Sequence, residues 1–506
     1  MTMDTPNPLP PSRRQLLGGA VALGAATLLP ACGGGGDAVP GNPPAPASNP
    51  QPVPAGPLTP AKVVVSASHA GFIGPDFAGL SYEKSSLGQG LFTPANNNLI
   101  ALFQRLGPGV LRVGGNSVDR TVWATQGAGG TAGQVAPPDV DALAAFVKAS
   151  GWRCLYGVNL GGAASGATTP ALAAAEVAYA AKKLGSALLG IEIGNECDLY
   201  GNPGHYFAGQ WSLSDFIALW EQYRSAILAV TPQIPITGPA SAGNEAKWTV
   251  PFGQAVTKGQ MALLTQHYYR ADGQQPSSTA ELLITPDSKL LADLAILNAG
   301  AAAIGVPFRL SECNSFYNGG APGVSDSYAS ALWVIDHLFN CVQGGASGVN
   351  LHGGGNGPGY TPIANSGATI IGVRPEYYGT LLFTLAGQGT LYSTQISAGA
   401  LNATAYGVKT SSGLNLVIVN KDATQNLQVT ADLPVAAGSA QVLTLTQHSS
   451  AGKAPVLNAT SGVTIQGAGV AADGSFAPQA AYTLQVSNRQ LSCYVPALSA
   501  VLIQTA

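Results

Sequence analysis

The chain has 506 residues, 22 basic and 25 acidic, giving a formal net charge of −3. This balance leaves no basic stripe of the kind that grips nucleic acid or a sulfated polymer, so no nucleic-acid partner is expected. The length excludes one small domain, and the composition is that of a globular protein.

In chain order, the first segment is an address. "SRRQLLGGAVALGAATLLPAC" places Arg13 and Arg14 before an apolar stretch that ends at Cys32. Residues 1–31 read as an export signal of the twin-arginine type, and the apolar run is short for a membrane span of ~20 residues. "LLPAC" also resembles a lipoprotein processing site, which would make Cys32 a lipid anchor to the membrane. The expected location is therefore outside the cytoplasm: periplasmic, at the cell surface or secreted. Residues 32–60 are rich in Gly and Pro without apolar periodicity and read as a tether. Five further cysteines (Cys154, Cys197, Cys313, Cys341 and Cys493) lack short spacing. They allow one or two bridges at most and exclude a disulfide framework or a zinc site.

"AKVVVSAS" (61–68) opens the folded part as a strand, and residues 61–76 are assigned to a β-sandwich completed much later in the chain. From 77 to 388, short apolar runs alternate with helical stretches. Eight strand candidates stand out: 77–83, 109–115, 152–160, 188–196, 234–241, 262–269, 308–314 and 348–354. Eight β/α units in succession predict an α/β fold, a (β/α)8 barrel. No phosphate-binding glycine pattern follows the first strand, which argues against a doubly wound dinucleotide fold. Residues 389–506 change texture to short alternating runs between turn residues, which predicts a C-terminal β-sandwich.

Catalytic residues in such a barrel gather at the C-terminal ends of the strands. Those ends are unusually polar here: Glu83, then Asn116 with Asp119, Asn159, Asn195-Glu196, His267-Tyr268-Tyr269, Glu312 with Asn314 and Tyr317, and His352. Glu196 and Glu312 end strands on opposite sides of the mouth, so their carboxyls can face one another. Two carboxyls flanking a glycosidic bond are the minimal equipment for its hydrolysis: one delivers a proton to the leaving group while the other attacks or activates water. Glu192 lies deeper in its strand and reads as half of an interior ion pair with Arg112. His267 and His352 lack a metal-binding spacing and read as hydrogen-bonding partners of the carboxylates, so neither metal nor cofactor is expected.

"LRVGGNSVD" (111–119), "IEIGNE" (191–196), "QHYY" (266–269), "LSECNSFYNGG" (310–320) and "LHGGGNGPGYTPI" (351–363) together resemble the heparanase and β-glucuronidase family, glycoside hydrolase family 79. The resemblance runs over about residues 61–506. It implies Glu196 as acid/base, Glu312 as nucleophile, Asn195 on the sugar 2-hydroxyl and Tyr269 against the nucleophile. Glu83 and Asp119 would take other sugar hydroxyls. Tyr317, Tyr360 and the Gly359 backbone N–H would hold a glucuronate carboxylate, and an open glycine-rich loop suits that role. The implied activity is retaining hydrolysis of terminal β-linked glucuronic acid from a glycan or glucuronide.

Basic residues between 155 and 280 are few and scattered, so exo action is preferred over a heparanase-like endo action on a sulfated chain. The competing readings are a neutral-sugar β-glycosidase and a surface lipoprotein that binds sugar without cleaving it. Cys197 and Cys313, each directly after one of the two glutamates, have no base beside them and read as packing residues.

Overall fold

The computed structural model describes residues 49–256, 261–448 and 454–505. The expected export signal, Cys32 and the first part of the expected tether lie outside the described residues. Eight parallel strands close into a barrel: Ala78–Glu83, Val110–Gly114, Arg153–Val158, Leu188–Ile193, Ile236–Ser241, Leu263–Asp272, Phe308–Tyr317 and Val349–Gly353. All eight predicted strands are present, and each pairs with its chain neighbour, the eighth returning to the first. They form because Val-, Ile- and Leu-rich runs covered on both faces satisfy a parallel sheet.

Helices follow the strands and are started by local chemistry. Pro170 opens the helix Pro170–Leu184 behind an N-cap at Thr169, whose side chain accepts the Leu172 N–H. Ser212 and Asp215 form a capping box on Leu213–Val230, and Asp287 caps Ser288–Ile304. These caps satisfy donors that a helix start leaves unpaired.

The floor of the barrel is polar. The Arg309 Nε donates to Asn350 Oδ1 at 2.6 Å, and its other nitrogens reach the carbonyls of Asp76, Phe77 and Val349. Burial lowers the Arg309 pKa to about 10. Space for this guanidinium comes from Gly348, where a Cβ would lie 1.8 Å from Arg309 Nη1.

The second layer is a ten-stranded sheet folded around its own core of residues such as Val63, Val65, Leu416, Ile418, Val429 and Ile503. Strand Leu58–Ile73 runs antiparallel to Gly389–Ser397 on one side and parallel to Asn426–Asp432 on the other. The described residues already pair with the sheet before the predicted strand. Asn49 and Gln51 exchange hydrogen bonds with the backbones of Ala480, Ala481, Thr483 and Tyr494. The composition of the tether hid this, because extended Pro-rich chain satisfies its backbone on a sheet edge as readily as in water.

Barrel and sheet share a core. Helix Tyr328–Gln343 is buried along almost its whole length between them. The Tyr328 hydroxyl donates to the Leu498 carbonyl at 2.8 Å, and Phe339 stacks on Tyr406 with centroids 4.3 Å apart. On the same helix Asp336 accepts from Thr404 and Tyr406 and pairs with Lys421. The five cysteines are free and buried, so the bridges their number allowed are not formed among them. Among the described residues no helix is long and apolar enough to cross a membrane.

Candidate active site

Arg112 organises the mouth of the barrel from the middle of the second strand. It is fully buried, and its four contacts come from residues far apart in the chain. Its Nε donates to Glu192 Oε2 at 2.6 Å, and its Nη1 donates to Glu312 Oε2 at 2.7 Å and to Ser81 Oγ at 3.1 Å. Its Nη2 donates to Asn195 Oδ1 at 2.8 Å. Burial opposes the charge on Arg112, but Glu192 and Glu312 outweigh it and hold the guanidinium fully protonated. The ion pair between Glu192 and Arg112 is as the sequence suggested. Two further roles of Arg112, on Glu312 and Asn195, were not foreseen, and the one signal for them is an arginine inside an otherwise apolar strand.

Glu312 lies on the seventh strand and is almost fully enclosed. Its Oε1 accepts the Tyr269 hydroxyl at 2.8 Å, and its Oε2 lies 3.7 Å from His352 Nδ1 and 4.0 Å from His267 Nδ1. Burial pushes its carboxyl up, yet His352, His267, Arg112 and the Tyr269 hydroxyl together hold it well below the usual carboxylate range. Glu312 is therefore an anion at neutral pH.

Glu196 follows the fourth strand. Gly194 and Glu196 both take left-handed backbone, with φ of 83° and 50°. This bend turns the Glu196 side chain over the barrel mouth, and its N–H is held by the Ala240 carbonyl at 2.7 Å. A left-handed conformation is unusual for glutamate and marks a position whose geometry the surroundings dictate. Its Oε1 lies 3.1 Å from His267 Nδ1. Single ligand-type atoms of Glu196, His267 and Glu312 all fall within 4.8 Å of one another. A dication there would compete with the Arg112 guanidinium and the Tyr269 hydroxyl already on Glu312.

Glu83 ends the first strand and accepts the N–H groups of Asn116 and Ser117 at 3.2 and 2.6 Å. This close approach needs Gly115, whose φ is +68° and whose Cβ would sit 2.7 Å from the Glu83 carboxyl carbon. Glu83 also lies 3.7 Å from His352 Nε2. Burial lowers the affinity of His352 for a proton, but Glu312 and Glu83 outweigh it and raise its pKa.

The remaining expected residues divide. Asn195 is in place: with Oδ1 held by Arg112, its Nδ2 is turned toward Asn116, 3.5 Å away, and the open mouth. Tyr360 is nearly buried, its ring 6.0 Å from Tyr269 and 5.9 Å from His352, whereas Tyr317 is 44% exposed with its ring 6.5 Å from Tyr269. Asp119 is turned into the protein, where it accepts the Leu160 and Gly161 N–H groups and the Tyr200 hydroxyl. Burial raises its pKa against those bonds. The expected Gly359 donor is already spent: its N–H donates to the Gly319 carbonyl at 2.6 Å. The loop around it is braced from behind by Arg374, which donates to the carbonyls of Asn356, Pro358 and Gly359. Cys197 and Cys313 are fully buried, and burial pushes both thiols well up, which suits packing and not nucleophilic attack.

A cavity of ≈ 230 Å³ opens beside these groups, lined by Asn116, Asp119, Asn195, Glu196, Tyr200 and Tyr206 among others. Tyr200 and Tyr206 come from the loop after the fourth strand, and the motif reading missed them.

No protein-family model matches the chain. A β-glucuronidase of Aspergillus niger is 28% identical over 255 residues, 46% of this chain and 46% of that protein. A β-glucuronidase of Neurospora crassa is 26% identical over 253 residues, 45% of each chain. The chain thus aligns with about half the length of these relatives. A 4-O-α-L-rhamnosyl-β-D-glucuronidase of Fusarium oxysporum superposes with a TM-score of 0.68 at 18% identity, covering 88% of this chain and all of that one. A family 51 arabinofuranosidase of Xanthomonas axonopodis superposes with a TM-score of 0.64 at 16% identity, with the same coverage. These likenesses establish the barrel-and-sheet fold.

Proposed function

We propose that the chain is a retaining glycoside hydrolase of the family 79 type that removes terminal β-linked glucuronic acid. The observation that carries the reading is the pair Glu196 and Glu312, with one carboxyl oxygen of each within 4.8 Å of the other and only one of the two groups gripped by Arg112 and Tyr269. Inverting enzymes separate their carboxyls by roughly 6.5–9.5 Å to leave room for water, while retaining pairs stand about 5–5.5 Å apart. The spacing here supports direct attack by a carboxylate.

In that mechanism the anionic Glu312 attacks the anomeric carbon while Glu196 gives its proton to the glycosidic oxygen. The ester bond that forms removes the negative charge from Glu312. Glu196, now ionised, then takes a proton from water, which attacks the ester and releases the sugar with its configuration retained. Arg112 keeps Glu312 Oε2 fixed and, by holding Asn195 Oδ1 with Nη2, turns the Asn195 amide nitrogen toward the mouth, where it would donate to the sugar 2-hydroxyl. Glu83 accepts from a further hydroxyl. Tyr360 and Tyr317 are the donors left for a glucuronate carboxylate once the Gly359 amide is engaged.

The two fungal relatives are named as β-glucuronidases, which favours this sugar over neutral ones. Export, with lipidation of Cys32, remains part of the proposal and rests on the N-terminal sequence alone. The test is kcat/KM on an aryl β-glucuronide beside the matching β-glucoside. A strong preference for the glucuronide that Tyr360→Phe erodes supports the assignment. Preference for the glucoside keeps the two glutamates and removes the tyrosine pocket.

A further inference from the structure

Glu196 holds a left-handed backbone, φ 50° and ψ 46°, in which the Cβ of an L-residue crowds the following carbonyl. Such a conformation persists only where the surroundings over-determine it. Two of the ties on this turn are backbone: the Gly194 N–H donates to the Val158 carbonyl at 2.9 Å, and the Glu196 N–H to the Ala240 carbonyl at 2.7 Å. Gly194 leaves no room for a larger residue, since a Cβ there would sit 2.6 Å from Cys197 Sγ. Two side chains complete the clamp. The Asn195 N–H reaches the Tyr200 hydroxyl at 3.4 Å, and the Trp211 Nε1–H donates to the Cys197 carbonyl at 2.7 Å.

The shorter of these two side-chain ties comes from a residue that is itself firmly held. Trp211 directly precedes Ser212, the cap of helix Leu213–Val230, so its backbone is set by the start of that helix. Its ring stacks on Phe207 with centroids 4.4 Å apart and planes 11° from parallel, and it lies 5.6 Å from the Tyr200 ring. The chain passes close beside it at Gly201, where a Cβ would meet Trp211 Cβ at 3.0 Å. Indole has a single donor, and here it is aimed at the carbonyl of the residue that follows Glu196.

We propose that Trp211 is a positioning residue for the acid: its N–H fixes the Cys197 carbonyl, and with it the left-handed turn that aims the Glu196 carboxyl at the glycosidic oxygen. The inference rests on Glu196 being the proton donor and is independent of which sugar is bound. Proton delivery requires hydrogen-bond reach to the leaving oxygen, so a turn that relaxes slightly weakens acid catalysis before it weakens binding. The loss must therefore grow with the basicity of the leaving group. An aglycone that departs as a stable anion needs no proton, whereas a poor one cannot leave without it.

The experiment measures kcat/KM of the full enzyme on aryl β-glucuronides of rising leaving-group pKa, or on the matching glucosides if those are the substrates turned over. This ratio covers the steps up to the glycosyl-enzyme, where Glu196 acts as acid. Trp211→Phe keeps an aromatic ring and removes the donor. It should lose on the order of tenfold on the poorest leaving group, the range of one hydrogen bond, and almost nothing on the best. Trp211→Met, read in the same way, serves if the Phe variant does not fold. Phe207→Leu strips the stacked ring and keeps the N–H, so it should lower Tm with a leaving-group slope near that of the wild type. A Trp211 variant with an unchanged slope, or with a slope that Phe207→Leu matches, overturns the proposal. Glu196→Ala run beside them marks the limit. A steep slope there with an unchanged one for Trp211 defeats this inference alone, and an unchanged slope for Glu196→Ala defeats the acid assignment and the inference with it.

Discussion

Replacing Tyr269 with Phe deletes one oxygen from the site, and its consequences can be worked through. The lost contact is the 2.8 Å donation to Glu312 Oε1, the one hydrogen bond which that oxygen receives among the described residues. A hydrogen bond to a buried charged group is worth about 1.5–3 kcal/mol, and one pKa unit corresponds to about 1.4 kcal/mol. In the wild type, burial raises the Glu312 pKa, while His352, His267, Arg112 and Tyr269 lower it by more. Removing one of the lowering contacts therefore raises the pKa. Protonated Glu312 cannot attack, so the acid limb of kcat/KM should move to higher pH. The sign for stability follows from the same shift. A depressed carboxyl pKa contributes stability that is present above the unfolded-state value and lost as pH falls through the folded one. The variant should thus melt lower at neutral pH and lose less on acidification. The assay is a pH profile of kcat/KM on an aryl glucuronide, with Tm followed over the same range. An acid limb that does not move in a folded variant would refute the idea that Tyr269 helps to keep Glu312 ionised.

Other expectations can be checked in parallel. Glu312→Ala should abolish turnover and regain it with azide as a glycosyl azide, whereas Glu196→Ala should spare substrates with good leaving groups far more than poor ones. An unchanged leaving-group dependence removes Glu196 from the acid role. Lys84→Met strands Glu176, which is buried and bonded to Lys84 at 2.5 Å, and should cost about 3–5 kcal/mol, seen as a fall in Tm. Adding Glu176→Gln should recover part of that loss, and no recovery would mean that the lysine stem and not the pair was stabilising. Gly348→Ala drives a methyl into Arg309 and should cost on the order of 1–3 kcal/mol at the barrel floor. An unaltered Tm would show that the arginine can give way.

The strands were legible because a parallel barrel buries both faces of each strand, so each reads as an apolar run with polar residues at its end. Glu196 and Glu312 stood out for the same reason. The hub at Arg112 was only half legible: its partners Glu192, Asn195 and Glu312 lie 80 to 200 residues away, and no spacing encodes them. The Gly359 amide was misjudged because an open glycine loop looks available, while the Gly319 carbonyl that claims it belongs to another loop. Asp119 has the right residue type at the right strand end, yet three donors from the Leu160–Gly161 turn and Tyr200 absorb it. Tyr206 belongs to no motif, and only folding of the loop after the fourth strand brings it to the cleft.

The strand Leu58–Ile73 has neighbours on both sides that begin at Gly389 and Asn426. A ribosome completes the whole barrel before either partner exists. During synthesis the barrel must therefore collapse while its leading strand waits with unpaired backbone, since domains fold as units from the N-terminal side. Contacts across more than 300 residues form slowly. The first strand to be made is thus among the last to be satisfied, and a chain released early would carry a finished catalytic mouth on an open, adhesive sheet edge.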